Sequence, residues 1–329
     1  MRNTGKKIIL AFVLMSLSGG LFAGGTQEIV RERQVKAAAL KGPSGFGIIK
    51  MLDESPELLE GVSTEFSVLP TPPEMVARVA SAELDVALLP SNMAAKLYSE
   101  GPGYKLGAVV GMGVLSVLSR DEEIRDWSDL AGRKINSIGK GATPDYLFAY
   151  LLQRNGLDPE KDLQRDFSIS NAAQLTQALI SGKVETAVLP QPFVTMALAK
   201  SPDVREVFDL QETWKKVQGS AETYPITVVV FKPSLVEERP DIVEAFLEEY
   251  EGSIAWVNAN PARAAELIEK HDVLPAAMAE PAIPHCNLRF IPAVEAKGLM
   301  EEYLSVLLDF NPAAVGGRLP DEHFYFQSR

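Results

Sequence analysis

The side chains able to do covalent or metal chemistry in this 329-residue chain are few: one cysteine, Cys286, and three histidines, His271, His285 and His323. His285 and Cys286 are neighbours in "IPHCNLRFIP". A Cys–His pair can act as nucleophile and base, but adjacent side chains on extended backbone point to opposite faces, so these two cannot serve each other. The histidines do not stand at metal-ligand spacings. Carboxylates are plentiful, yet runs such as Glu237-Glu238 and Glu248-Glu249 read as solvated helix faces. No catalytic residue, cofactor or metal is expected, and the chemistry left to the chain is recognition.

Candidates for recognition gather where apolar strands run into helices. "VKAAALKGPSGFGIIKML" (35–52) reads as a strand, a Gly-rich break and a helix. Its glycines allow close backbone approach, Ser44 offers a hydroxyl and Phe46 an aromatic face. The GxxGxG spacing is not the dinucleotide fingerprint, and a site and a plain turn remain equal readings. "WSDLAGRKINSIGKGATPDYLFAYLLQRNGL" (127–157) places Gly141, Ala142 and Thr143 before a helix, with Thr143 expected as N-cap and Pro144 at the first helical position. Free N–H groups there would receive an anion or a polar ligand edge, although a capped helix without a ligand satisfies the pattern equally. A phosphate-binding Walker loop is excluded because GxxxxGK[ST] is missing.

Two segments one hundred residues apart repeat each other. "PEMVARVASAELDVALLPSNMAAKL" (73–97) and "AAQLTQALISGKVETAVLPQPFVTMAL" (172–198) both read as helix, small-residue turn, short strand ending in Leu-Pro, and a new helix. Pro90 and Pro190 read as strand stops. Ser91, Asn92, Gln191 and Phe193, just beyond them, sit where open α/β sheets collect ligands. Two copies imply two similarly built lobes whose loops line one cleft.

Length supports two lobes, since one core seldom serves so long a chain. Arg2, Lys6 and Lys7 precede an apolar run from Ile8 to Leu17 and small residues ending at Ala23, the pattern of an export leader over 1–23 that is too short to span a bilayer. A lone cysteine excludes an internal disulfide, and none stands near the cut to carry an acyl anchor. Net charge is −12, which makes nucleic acid an improbable partner. The long apolar run "GAVVGMGVLSVLSRDEE" (107–123) is expected to be one strand through Leu118, with a crossing between lobes near Ser119–Arg120 and a return near Tyr224–Pro225. Lobe 1 is therefore expected over 24–118 plus 226–329 and lobe 2 over 119–225. Two crossings make a hinge.

The leader, the Gly-rich loop, the paired "LDVALLPSN" and "VETAVLPQP", the phrase "WSDLAGRKI", then "GKGATPD" and the return strand "YPITVVVF" resemble the periplasmic substrate-binding proteins of ABC transporters for nitrate, sulfonate, taurine and thiamine-pyrimidine precursors. The resemblance covers nearly the whole mature chain. It implies an α/β, two-lobed periplasmic binding protein of the type II, Venus-flytrap kind, each lobe a mostly parallel sheet flanked by helices. It implies a monomer that delivers a small-molecule ligand to an inner-membrane permease. Cleft positions would fall on Ser44, Phe46, Ser91, Asn92, Met112, Gly113, Gly141 to Thr143, Gln191 and Phe193, with Tyr224 joining from the hinge. The cysteine-rich stretch of the pyrimidine-synthesising relatives is missing. Phe46, Phe193, Met112 and Tyr224 suggest a heteroaromatic solute; an anion would look to Lys140. Two rivals stay open: a cytoplasmic two-lobed enzyme related to menaquinone synthesis, and a ligand-sensing receptor domain.

Overall fold

A computed structural model describes residues 33–328. The expected leader, 1–23, lies outside the described residues. From the start, strand β1 (Arg33–Leu40) turns through Gly42, whose φ of 111° suits glycine, into helices α1 (Pro43–Gly47) and α2 (Ile49–Glu54). Then come β2 (Val62–Leu69), α3 (Pro72–Ala80), β3 (Val86–Pro90), α4 (Ser91–Glu100), β4 (Lys105–Met112) and β5 (Leu115–Ser119). A 3-10 turn at Trp127–Leu130 precedes β6 (Lys134–Asn136), α5 (Thr143–Arg154), β7 (Gln164–Asp166), α6 (Ala172–Ile180), β8 (Thr186–Pro190), α7 (Phe193–Lys200), β9 (Arg205–Asp209) and α8 (Leu210–Gln218). The chain ends with β10 (Pro225–Phe231), α9 (Pro233–Glu238), α10 (Pro240–Ala259), α11 (Pro261–Lys270), α12 (Ala276–Ala282), β11 (Leu288–Pro292) and α13 (Ala293–Phe310). Proline opens many of these helices, among them α1, α3, α5, α10 and α11, where its missing N–H has no intrahelical partner to lose.

The strands form two sheets, ordered β11-β4-β10-β3-β1-β2 and β7-β6-β8-β5-β9. Both are mixed rather than mostly parallel. β1 runs parallel to β2 and β3, and β6 parallel to β7 and β8, but β10 lies antiparallel to β3 and β5 antiparallel to β8. The reason is the route of the chain: β5 and β10 each enter their sheet from the other lobe, at the end where β8 and β3 finish.

The crossing expected near Ser119–Arg120 lies earlier. The apolar run is two strands, β4 in the first sheet and β5 in the second, separated only by Gly113-Val114. Unbroken hydrophobicity hid the break because both halves are buried in their own sheets. β11 carried no expectation, since its five residues are short and interrupted by Arg289.

Three apolar clusters hold the fold. One packs α1, α2, α10 and α11 onto the outer face of the first sheet, and another packs α6 and α7 onto β8. The largest runs through both lobes, joining Val109 and Val228 of the first sheet to Val117 and Val188 of the second by way of α5, α8 and α13. Among the described residues no helix is long and apolar enough to cross a membrane.

Phe46, expected as an aromatic cleft wall, is fully buried in the first of these clusters with Ile48, Ile49 and Tyr250. The α1 turn swings its ring under the sheet rather than outward. Replacing Phe46 with alanine is expected to cost about 3–5 kcal/mol of unfolding free energy, as deletion of a core aromatic does; urea denaturation followed by circular dichroism reads this directly.

Candidate functional site

The two repeated Leu-Pro strand ends each meet backbone at a crossing between the lobes. Pro90 is paired with Thr227 of β10, and Pro190 with Leu115 of β5, so each tip lies beside a strand that has just crossed between lobes. Ser91 Oγ donates to the Pro225 carbonyl at 2.8 Å, and the Gln191 N–H donates to the Val114 carbonyl at 2.9 Å. The crossings themselves touch. A Cβ on Gly113 would stand 2.5 Å from Tyr224 Cζ, so only glycine allows the approach. Both tips thus converge on one hinge.

Across that hinge the lobes are joined by a hydrogen bond between two residues read from the sequence as site residues. Thr143 Oγ1, at the start of α5, donates to Asn92 Oδ1 on the first turn of α4 at 2.8 Å, and both residues are almost wholly buried. Asn92 Nδ2 in turn donates to the Ala314 carbonyl. Thr143 is not the N-cap expected of it. Ala142 holds that position, its carbonyl accepting from the Tyr146 N–H, and the Thr143 hydroxyl is released for the other lobe. The loop before it turns through Gly139 and Gly141, with φ of 67° and 71°, and the Gly141 N–H is held by Asp145 Oδ2. Asp145 is fixed by an ion pair with Arg165.

The other expected contacts have these surroundings. Met112 is fully buried in the core that spans both lobes. Tyr224, expected to reach the ligand from the hinge, is likewise fully buried: it stacks on Tyr303 and meets Trp214 edge-on, and its hydroxyl donates to Gln211 Oε1. Burial pushes the Tyr224 pKa well up, so it remains a neutral donor. Ser44 Oγ donates to the Leu40 carbonyl and closes the α1 turn. Gln191 Oε1 accepts from Thr195 N–H and Oγ1, capping α7, while Phe193 is half-buried against the cluster under α6 and α7. Gly141 is exposed and Ala142 half-exposed at the lip of α5, beside Lys140, whose ammonium sits 6.0 Å over the Phe167 ring.

Three hinge residues carried no signal in the sequence. Gln211 Oε1 accepts from both the Leu115 N–H at 2.9 Å and the Tyr224 hydroxyl, tying the first crossing to the second. Asn287, in left-handed backbone with φ 49°, donates Nδ2 to the Gly113 carbonyl and accepts the Met112 N–H on its own carbonyl. Tyr303 supplies an aromatic face behind Tyr224. A glutamine inside "DLQETWKKV" looks like any solvated helix position.

The residues able to do covalent chemistry are set apart. Cys286 is fully buried and its thiol pushed up to about 12 by desolvation, while His285 is exposed. Their backbone is a 3-10 turn and not the extended chain of the sequence reading, yet the two side chains still face different surroundings. His271 bonds Asp53. Among the described residues no group of His, Cys, Asp and Glu could hold a metal.

Residues 51–270, two-thirds of the chain, match the profile of a family described as ABC transporter, phosphonate, periplasmic substrate-binding protein. Solved structures share the fold. An ABC transporter protein from Parabacteroides distasonis superposes with a TM-score of 0.78 at 27% identity, covering 90% of this chain and 99% of its own. The periplasmic aliphatic sulphonate binding protein SsuA of Escherichia coli gives 0.70 at 15% identity over 90% of this chain and 94% of its own. The nitrate-binding protein NrtA of Synechocystis PCC 6803 gives 0.63 at 12% identity over 84% and 81%. No curated protein sequence matches significantly.

Two outcomes check this geometry. Gln211→Ala strands the Leu115 N–H and the Tyr224 hydroxyl and is expected to lower stability by about 1–3 kcal/mol in a urea titration, the usual cost of unpaired buried groups. Cys286 is expected to resist a thiol-specific disulfide reagent in the native protein and to react stoichiometrically once guanidinium unfolds it.

Proposed function

Because the chain belongs to the periplasmic substrate-binding proteins of phosphonate-type ABC transporters, we propose that it captures a small organic solute bearing an oxyanion head and presents it to its permease. The observation that carries the reading is the convergence of α4 and α5, one from each lobe, on the Asn92–Thr143 hydrogen bond. The first-turn N–H groups of a helix lack intrahelical acceptors and lie at the positive end of its dipole. Two such ends brought together favour negative charge between them.

The lean towards a heteroaromatic ring loses three of its four walls, since Phe46, Met112 and Tyr224 belong to the cores and only half-buried Phe193 is left. Exposed Lys140 at the lip of α5 favours an anion instead. The relatives are described as binding phosphonate, aliphatic sulphonate and nitrate, which have oxyanion oxygens in common. Ser91, Asn92, Gly141, Ala142, Thr143 and Gln191 are the residues of this chain assigned to the ligand.

In this reading the protein is a monomeric, non-enzymatic receptor, exported by its first 23 residues and without a nucleic-acid partner. Among the described residues, lobe 1 comprises 33–112 with 225–328, and lobe 2 comprises 114–224. Ligand favours the closed form only through contacts that the open form cannot make, so both lobes must touch it. Buried Cys286, turned away from His285, supplies no nucleophile for the enzymatic alternative.

Small-angle scattering with and without methylphosphonate or methanesulfonate tests the reading. The radius of gyration is expected to contract on saturation, and Thr143→Ala is expected to weaken binding about tenfold in calorimetry, the loss of a hydrogen bond to a charged group. Tight binding without contraction, or full affinity in the Thr143 variant, contradicts it.

A further inference from the structure

Five buried side-chain hydroxyls have no hydrogen-bond partner among the described residues: those of Ser99, Thr223, Tyr250, Tyr303 and Tyr325. A buried hydroxyl left unpaired by side chains and backbone is costly, and in a native protein it is met by a water, an ion or a ligand. Tyr250 and Tyr325 lie within the apolar clusters of their helices and tail. Tyr303 shares the cluster of Tyr325, but differs in the helices that surround it. It is fully buried on α13, and α13 packs on both α4 and α5, the two helices whose first turns meet.

The Tyr303 ring is held from two sides, stacked on Tyr224 at 6.0 Å and edge-on to Trp214 at 5.8 Å. Its hydroxyl comes beside the Thr143 side chain without closing a hydrogen bond to it, while the Thr143 hydroxyl proton is given to Asn92 Oδ1. Tyr303 therefore presents a neutral O–H donor, positioned by a rigid aromatic stack, at the N-terminal turn of a twelve-residue helix. Asn92 Oδ1, which accepts from Thr143, is a neutral oxygen at a place built with donors.

We propose that Tyr303 is a ligand contact, and that an oxyanion entering between α4 and α5 takes the Thr143 hydroxyl from Asn92 Oδ1 and receives the Tyr303 O–H as well. This rests on the reading of α4 and α5 as the two sides of the ligand site. It adds a requirement on the solute, whose head must offer at least two acceptor oxygens side by side. A phosphonate or sulfonate head does so. A head that presents one acceptor beside a donor leaves either Thr143 or Tyr303 unsatisfied.

Calorimetric titration of the full mature chain with methylphosphonate, wild type against Tyr303→Phe, tests the assignment. The variant deletes only an unpaired hydroxyl, so its thermal midpoint without ligand is expected to equal or exceed that of the wild type. Its affinity for methylphosphonate is expected to fall about 10- to 100-fold, the range for a hydrogen bond to a charged acceptor, and the ligand-induced rise in midpoint to shrink with it. Wild-type binding that survives within twofold in Tyr303→Phe overturns this assignment and leaves the cleft standing. A wild type that binds neither methylphosphonate nor methanesulfonate overturns the cleft reading, and the role of Tyr303 with it.

Discussion

The structure depends on the contact between Gly113 and Tyr224. At that point the two crossings lie so close that a methyl group would overlap the tyrosine ring. Gln211 then bonds one crossing through the Leu115 N–H and the other through the Tyr224 hydroxyl. Asn287 fixes the Gly113 carbonyl from the side of β11. A pair of crossings tied so tightly leaves the lobes little freedom to slide, and what remains is rotation about the tie. The continuous apolar core through α5, α8 and α13 lies on this hinge, so rotation must conserve its packing.

From that constraint the placement of the repeated tips follows. Because β10 and β5 enter beside β3 and β8, the strand ends at Pro90 and Pro190 are brought to the crossings, and the helices that begin beyond them inherit the same position. Repetition in the sequence therefore becomes convergence in space. The Asn92–Thr143 bond is its direct expression, a contact between residues 51 apart in sequence and in different lobes.

Much of the frame was legible in the residues. The repeat around 73–97 and 172–198 gave the helix, strand and helix of each copy, because alternation between helical periodicity and a short apolar run is a local signal. Asn92 and Thr143 could be picked out from their place after a strand, and the structure brings the two into contact. Other features could not be read locally. Phe46 and Tyr224 looked like cleft aromatics because sequence does not show which way a ring turns, and burial under a sheet is decided by tertiary packing. The break at Gly113-Val114 was masked by apolar residues on both sides. Gln211 and Tyr303 act only through partners from distant segments, so no pattern around them marks the role.

The exchange of strands between the lobes has a consequence for biosynthesis. β3 cannot complete its hydrogen bonding until β10 exists, and the bond from Ser91 to Pro225 spans 134 residues. A chain emerging from its amino end thus carries an open, apolar β3 edge through the whole synthesis of the second lobe, exposed to mispairing in the meantime. Closing so long a loop is slow relative to local helix formation. The second sheet, whose five strands are all made by residue 209, can form while the first still waits for its fifth and sixth strands, β10 and β11.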